Sequence, residues 1–151
     1  MDYQIRIKKP LEILLVEDNP GDVRLMLEIL REGEIPHDFN VVTDGEQALQ
    51  YLRKEAHYAS KARPDIVFLD LNLPKMGGLD VFKAIKADAE LRSIPVVIMT
   101  SSESEDDIEK AYASHANCFI TKPMDPDEFN NVAEVVRAFW LNAAKLPGQT
   151  A

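Results

Sequence analysis

Hydrophobic residues in this chain form short unbroken runs, separated by longer segments in which they recur every three or four positions. Strong runs cover residues 13–16, 66–69 and 96–99, and weaker ones cover residues 39–42 and 118–120. Apolar runs without alternation are typical of strands that are covered on both faces, as in a parallel sheet. The pattern therefore predicts five buried β-strands.

The segments between these runs have the period of amphipathic helices, with apolar residues spaced so that they line one helix face. The three clearest stripes are Val23, Met26, Leu27 and Leu30, then Ile108, Ala111, Tyr112 and His115, and finally Phe129, Val132, Ala133, Val136 and Trp140. The last stripe is the longest, so it predicts an extended amphipathic helix.

Local signals mark where several of these helices begin. Asn19-Pro20 and Asp125-Pro126 each place a capping side chain before a proline that suits the first helical position. The segments 43–46 and 102–105, with Thr or Ser first and Glu last, have the spacing of capping boxes. We therefore expect helices to begin near residues 20, 44, 103 and 126.

Strands and helices thus alternate five times along one domain of 151 residues. This order predicts an α/β fold, a doubly wound five-stranded parallel sheet with helices on both faces. In such folds, ligands bind at the carboxyl ends of the strands. The residues that follow each apolar run are therefore the first place to look for chemistry.

Charge and composition narrow the function classes. The formal net charge is -9 and like charges are not clustered, which disfavours nucleic acid and anionic membranes as direct partners. No apolar stretch approaches the roughly 20 residues of a membrane span, and the first ten residues lack the apolar core of a signal peptide. We expect a cytoplasmic protein. Its single cysteine, Cys118, is interpreted as a small buried hydrophobe.

Polar residues follow four of the five predicted strands. They are Glu17-Asp18, Asp70, Thr100-Ser101 and Lys122-Pro123. The three carboxylates would repel one another at a shared sheet edge, and each would raise the pKa of the others. A hard divalent cation would resolve this, and Mg²⁺ favours carboxylates together with a phosphate.

These residue types also suit phosphoryl transfer. Asp70 is a plausible nucleophile that would form an aspartyl-phosphate. Lys122 and the hydroxyl of Thr100 or Ser101 would help to neutralise the phosphoryl oxygens. Taken singly, an acidic pair after a strand is usually a polar loop and a Lys-Pro pair is usually a turn. Their combination at successive strand ends favours a functional site.

Four segments carry a resemblance to the receiver domains of two-component signalling. They are LLVEDNP (14–20), DIVFLDLNLPKMGGLDV (65–81), IPVVIMTSS (94–102) and ITKP (120–123). The chain is similar to a receiver over about residues 11 to 140, and the motif set is highly specific. More narrowly, HYASKARPDIVFLDLNLP, HANCFITKP and FWLNAAKLP resemble the stand-alone response regulators that serve cyanobacterial-type phytochromes.

The resemblance implies a role for each residue of the acidic group. Asp70 would be the phosphoacceptor. Asp18 would ligate Mg²⁺ directly, Glu17 would act nearby through water, and the backbone carbonyl of Asn72 would be a third protein ligand. Mn²⁺ would substitute for Mg²⁺. The pair Glu17-Asp18 replaces the two aspartates of many receivers, a change that keeps the charge.

The resemblance also assigns the residues that respond to phosphorylation. Lys122 would pair with the phosphoryl group, and a cis Lys122–Pro123 bond would aim it into the site. Thr100 would be the switch hydroxyl, with Ser101 beside it in place of the usual small apolar residue. Phe119 would be the switch aromatic, without the hydroxyl of the commoner tyrosine.

The resemblance further implies partners and boundaries. Residues 1–10 would be an N-terminal extension, residues 11–141 the receiver, and residues 142–151 a tail. The phosphoryl donor would be a histidine kinase of phytochrome type, and the output surface would be formed by the fourth helix, fifth strand and fifth helix. Phe139 and Trp140 would anchor a homodimer, unless the last helix folds back on its own domain.

Three other functions remain open on the sequence. An aspartyl-phosphate phosphatase of the haloacid-dehalogenase type would use similar residues, but it would need a second Asp where this chain has Asn72. An interaction module on a receiver scaffold would be expected to have lost part of the acid and lysine set. A flavodoxin-like electron carrier would need a phosphate-binding loop after the first strand.

Overall fold

The computed structural model describes residues 10–34, 36–102 and 104–147. The elements in chain order are β1 (Leu11–Val16), α1 (Pro20–Glu32), β2 (His37–Val42), α2 (Gly45–Leu52), β3 (Ile66–Leu69), α3 (Gly78–Ala87), β4 (Val96–Thr100), α4 (Glu105–Ala113), β5 (Phe119–Thr121) and α5 (Pro126–Val135). A short 3₁₀ turn (Ala56–Tyr58) lies between α2 and β3, and wider, π-type turns (Val136–Ala143) continue α5.

The five strands form one parallel sheet in the order β2-β1-β3-β4-β5. This confirms the predicted α/β fold with a doubly wound sheet. β3 lies in the centre of the sheet, between β1 and β4, and all four of its residues are buried. The end of β3 is therefore flanked by the ends of two other strands, which concentrates their loops at one edge.

The sheet is covered on both faces, as its unbroken apolar runs predicted. Alternate residues of β1 show this, because Leu14 and Val16 pack with α2, α3 and α4, whereas Ile13 and Leu15 pack with α1 and α5. Burial of this apolar surface is the main stabilising term of such a fold. It also fixes the strand ends rigidly in space, which is what a site at the sheet edge requires.

Two of the predicted helix starts are confirmed. Asn19 caps α1 and accepts from two backbone N–H groups, and Asp125 caps α5 and accepts from the Glu128 N–H at 2.9 Å. In each case a proline follows the cap. These side chains occupy backbone donors that the first turn of a helix leaves without partners.

The two capping-box predictions were wrong in register. α2 is capped by Asp44, which accepts from the Gln47 N–H at 2.8 Å, and α4 is capped by Ser104, which accepts from the Asp107 N–H at 3.4 Å. Several polar residues precede each helix, and spacing alone does not tell which one takes the cap. The α4 stripe also ends early, since His115 lies beyond the helix, exposed and at positive φ.

The chain beyond α5 packs back on the domain. Trp140 and Leu141 contact the core on the α1 and α5 side, and Leu146 is buried there. The predicted boundary at residue 141 therefore falls within a segment that still packs on the receiver core. Most of the predicted N-terminal extension and the end of the predicted tail lie outside the described residues. Among those residues, no helix has the length and apolar character needed to cross a membrane.

Candidate functional site

The carboxyl ends of β1, β3, β4 and β5 bring the predicted site residues to one edge of the sheet. Backbone hydrogen bonds extend β1, β3 and β5 by one residue there. The Glu17 N–H donates to the Val42 oxygen (3.0 Å), the Asp70 N–H to the Val16 oxygen (3.1 Å), and the Lys122 N–H to the Thr100 oxygen (2.8 Å). The sheet therefore fixes the backbone of these residues.

Asp70 stands in the centre of this edge and is 4% exposed. Its Oδ1 accepts from the backbone N–H of Asn72 at 3.2 Å, and its Oδ2 accepts from Lys122 Nζ at 3.1 Å. The start of α3 lies directly behind it. A Cβ at Gly78 would collide with the Asp70 carbonyl oxygen and would lie 2.6 Å from Leu71 Cα, so only glycine fits there.

Glu17, Asp18 and Asp70 form a compact acidic trio. One carboxylate oxygen of each lies within 4.8 Å of the others, with Glu17 and Asp70 buried and Asp18 exposed. The Asn19 N–H donates to Glu17 Oε2 at 3.2 Å, which orients that carboxylate toward the sheet edge. The trio thus has a solvent-facing side at Asp18 and a closed side at Glu17.

Lys122 is the cation of the site, and its side chain is 8% exposed. Its Nζ donates to Glu17 Oε1 at 2.5 Å, to Asp22 Oδ2 at 2.7 Å and to Asp70 Oδ2 at 3.1 Å. An ammonium group has three protons to donate, so these three carboxylates account for all of them. The lysine is held in the middle of the site by charge-assisted hydrogen bonds.

Burial and charge shift the pKa values of this cluster. Burial raises the pKa of Glu17 to about 7, with the Asp70 charge adding to the effect and Lys122 opposing it. Burial alone would lower the pKa of Lys122, but hydrogen bonds to Asp22 and Glu17 and the charge of Asp70 outweigh it and raise that pKa. Lys122 therefore stays protonated, while Glu17 is balanced between its two forms near neutral pH.

The donor set and the charge of the edge fit a hard divalent cation. The Lys122 ammonium group contacts three carboxylates, those of Glu17, Asp22 and Asp70, and Asp18 adds a fourth negative charge beside Glu17 and Asp70. The trio offers only oxygen ligands, which is the chemistry that Mg²⁺ and Mn²⁺ accept. A cation there would offset the repulsion and favour the ionised form of Glu17.

Comparisons with known proteins agree with this geometry. Residues 13–134 match the response regulator receiver domain family. The response regulator Rcp1 of Synechocystis is 38% identical over 138 residues, which are 91% of this chain and 94% of Rcp1. The chain belongs to the response regulator receiver domain family. The sequence prediction of a two-component response regulator, rather than a metabolic enzyme, is thereby confirmed.

Solved structures of receivers share the fold as well as the sequence. The phosphorylated cyanobacterial phytochrome response regulator RcpA superposes with a TM-score of 0.87 at 44% identity, covering 93% of this chain and all of RcpA. The Mn²⁺-bound form of Rcp1 also has a TM-score of 0.87, at 38% identity, covering 92% of this chain and all of Rcp1. The resemblance to phytochrome response regulators is thus confirmed.

The predicted switch residues of this receiver lie on β4, in the loop after β4 and on β5. Thr100 is fully buried, and its Oγ1 accepts from the Ser102 N–H at 3.4 Å. Ser101 is exposed and Phe119 is half-buried, packed against the core on the α2, α3 and α4 side. Ser102 Oγ donates to Asp107 Oδ2 at 2.6 Å, which ties the loop after Thr100 to α4.

The prediction of a cis bond before Pro123 was wrong. No peptide bond among the described residues is cis, so Lys122–Pro123 is trans. The preference for trans before proline is only about 0.5–1 kcal/mol, so sequence alone cannot assign the isomer. With this trans bond, the backbone N–H of Lys122 donates to the Thr100 oxygen. The Lys122 side chain reaches Glu17 and Asp70 from that position.

Asp22 is a residue of the site that was not predicted from the sequence. It lies in the first turn of α1 and makes one of the three bonds to Lys122. The sequence did contain a signal that places Asp22 near the site. A helix that starts at Pro20 begins close to the end of β1, so its first turn lies at the same edge of the sheet. Asp22 lies six positions beyond the end of β1, whereas the residues predicted for the site immediately follow strands.

The predicted dimer residues differ in exposure. Phe139 is 52% exposed and neighbouring Val135 is 54% exposed, whereas Trp140 is half-buried against the receiver's own core. The ring planes of Phe139 and Trp140 are nearly perpendicular, with centroids 5.1 Å apart. An anchoring role for Trp140 in a dimer is therefore less favoured by the structure than one for Phe139.

Proposed function

We propose that this receiver accepts a phosphoryl group on Asp70. The observation that carries the proposal is the buried Asp70 carboxylate at the centre of the sheet edge, held 3.1 Å from the Lys122 ammonium and within the acidic trio. In the transfer, an Asp70 oxygen bonds to phosphorus as the phosphorus–nitrogen bond of a phosphohistidine breaks. The leaving imidazole nitrogen keeps the electron pair.

The surrounding residues have distinct roles in this proposal. Lys122 donates to the phosphoryl oxygens, and Thr100, with Ser101 beside it, supplies a hydroxyl after a small loop shift. Glu17, Asp18, Asp70 and the Asn72 carbonyl would hold Mg²⁺, or Mn²⁺ in its place. When bound, the metal neutralises charge on the transferring group. The same groups would assist hydrolysis of the aspartyl-phosphate, so the receiver would limit its own signal.

The proposed output is a change at the surface formed by α4, β5 and α5. Thr100 ends β4, and its loop reaches α4 through the Ser102–Asp107 hydrogen bond. Phe119 begins β5 and is only half-buried, so it has room to change rotamer. A new phosphoryl charge at Asp70 would bias this two-state element.

We further propose a histidine kinase of phytochrome type as the donor. The support is the similarity to RcpA, a cyanobacterial phytochrome response regulator, over its whole length. The net charge of -9 supports a protein partner rather than nucleic acid or an anionic membrane surface. The receiver would act in the cytoplasm, where such kinases have their catalytic domains.

A second copy of the chain is the proposed partner of the exposed face at Val135 and Phe139. Two large apolar side chains, each more than half exposed on one helical segment, favour an interface. Light-scattering mass of the wild type and of Phe139→Ala tests this, with and without beryllofluoride. A dimer in the wild type that is lost in the variant is expected, and a monomer throughout would exclude a homodimer.

Acetyl phosphate tests the phosphoacceptor proposal. We expect the intact mass of the wild type to rise by one phosphoryl group in the presence of Mg²⁺, and no gain with EDTA or in Asp70→Asn. Asp65→Asn is the matched control, because Asp65 is a buried aspartate at the opposite end of β3. An equal mass gain in Asp70→Asn would place the phosphoryl group elsewhere.

A further inference from the structure

Lys122 has one hydrogen-bond partner that stands outside the acidic trio. Two of its three carboxylates, those of Glu17 and Asp70, are members of the trio, and the third belongs to Asp22. When the trio turns its oxygens toward a cation and Asp70 carries a phosphoryl group, the first two contacts must change. The Asp22 contact is the one that the proposed chemistry leaves in place.

The position of Asp22 is itself well defined. It lies in the first turn of α1, where the Asn19 cap accepts from the Gly21 N–H at 2.8 Å and from the Asp22 N–H at 3.2 Å. Its carboxylate is 32% exposed, and it reaches Lys122 Nζ at 2.7 Å. The pair therefore joins the capped start of α1 to the end of β5 across the site.

The four-carbon stem of Lys122 carries no polar group that could fix its position by a hydrogen bond. A small cavity between α1 and the sheet is lined by Lys122 together with Leu25, Met26 and Met99. Apolar contacts along such a stem are not directional, so they do not fix the position of the ammonium group at its end. A directional contact at the ammonium group is therefore needed to hold it over Asp70.

We infer that Asp22 is a positioning residue, which holds the Lys122 ammonium where the phosphoryl group on Asp70 will need it. This inference rests on the proposed function and adds a residue on α1 to it. In this role Asp22 would contact neither the phosphoryl group nor the cation. It acts through Lys122, because Lys122 is the group it contacts and because its carboxylate is not part of the trio.

Binding of beryllofluoride, a phosphoryl mimic, measures the effect through the ¹⁹F NMR signal of the bound fluorides. We expect Asp22→Ala to bind the mimic about tenfold more weakly, the size expected when one hydrogen bond to a charged group is lost. Asp22→Asn keeps an acceptor oxygen and should recover part of the loss. Glu28→Ala, which removes an exposed carboxylate from the same helix, is the matched control.

A double-mutant cycle separates positioning from a general structural or charge effect. In a Lys122→Ala background, Asp22→Ala should cause no further loss of mimic binding, because the group it positions is gone. Mn²⁺ affinity in the absence of the mimic, measured by calorimetry, should stay within about threefold of the wild type, since Asp22 lies outside the trio. Far-UV circular dichroism checks folding, and Asp22→Ser replaces Asp22→Ala if the latter does not fold.

Each outcome is decisive. An equal loss in both backgrounds, no loss in either, or tighter binding in Asp22→Ala would overturn the positioning role. Failure of the wild type to bind the mimic would instead contradict the proposed function itself. Loss of Mn²⁺ affinity by far more than threefold would make Asp22 part of the metal site and would also overturn the inference.

Discussion

Burial makes the charge of Glu17 sensitive to pH near neutrality. Glu17 is 2% exposed, and its pKa is raised from an ordinary value of 4.5 to about 7. Between those two values the folded protein keeps a proton that the unfolded chain has already lost. The unfolded state then binds fewer protons, so stability falls as pH rises through this window.

Urea unfolding in EDTA at pH 5 and pH 8 tests this behaviour. We expect the free energy of unfolding to fall from pH 5 to pH 8 by more in the wild type than in Glu17→Gln, because the amide of the variant does not titrate. Mg²⁺ should reduce the difference because it favours the ionised carboxylate. Parallel pH dependences of the two proteins in EDTA would show that Glu17 is ionised throughout.

Glycine is required at position 78 because the backbone of Asp70 lies very close to it, not because the chain turns there. The φ of Gly78 is not in the left-handed region, but a Cβ there would collide with the carbonyl oxygen of Asp70. We expect Gly78→Ala to lower the free energy of unfolding by roughly 1–3 kcal/mol, the usual cost of overpacking. Gly77→Ala is the control, because a Cβ at Gly77 meets nothing closer than 4.0 Å. Equal losses in the two variants would show that the contact with the Asp70 carbonyl is not what requires glycine at position 78.

At the scale of elements, strands could be predicted from the sequence more reliably than helix ends. A run such as 66–69 is apolar at every position because both faces of β3 are covered, so its burial is encoded locally. Helix starts depend on which of several neighbouring polar residues takes the cap. At α4 both Ser102 and Ser104 bond to Asp107, one to its side chain and one to its backbone, which spacing alone does not distinguish.

The segment after α5 offers a test of packing through the single cysteine. Burial raises the pKa of the Cys118 thiol, and a hydrogen bond with Trp140 opposes this. We expect Cys118 to react slowly with an aromatic disulfide reagent in the native protein, and several-fold faster in Trp140→Ala because the covering indole is removed. Phe139→Ala should leave the rate unchanged, since Phe139 is half exposed. Unchanged reactivity in Trp140→Ala would mean that Trp140 does not cover Cys118.

At the scale of the whole molecule, topology explains why so much of the site could be predicted. Parallel strands deliver their carboxyl ends to one edge, so Glu17, Asp70 and Lys122 could be placed together without knowing any distance. The contacts that could not be predicted from the sequence are those between side chains on different helices, strands and loops. Asp22 reaches from α1 to Lys122, and Lys75, in the loop after β3, pairs with Asp44 at the start of α2, 3.7 Å apart.

Every role proposed for this site depends on Asp70 being the residue that carries the phosphoryl group. The most direct measurement is to phosphorylate the receiver with acetyl phosphate and Mg²⁺, reduce it with borohydride, and sequence its peptides by mass spectrometry. Borohydride converts an aspartyl-phosphate to homoserine and leaves free aspartate unchanged. Homoserine at position 70, and at no other aspartate, is the predicted result. Homoserine at Asp18 or Asp22, with Asp70 unmodified, would contradict the account.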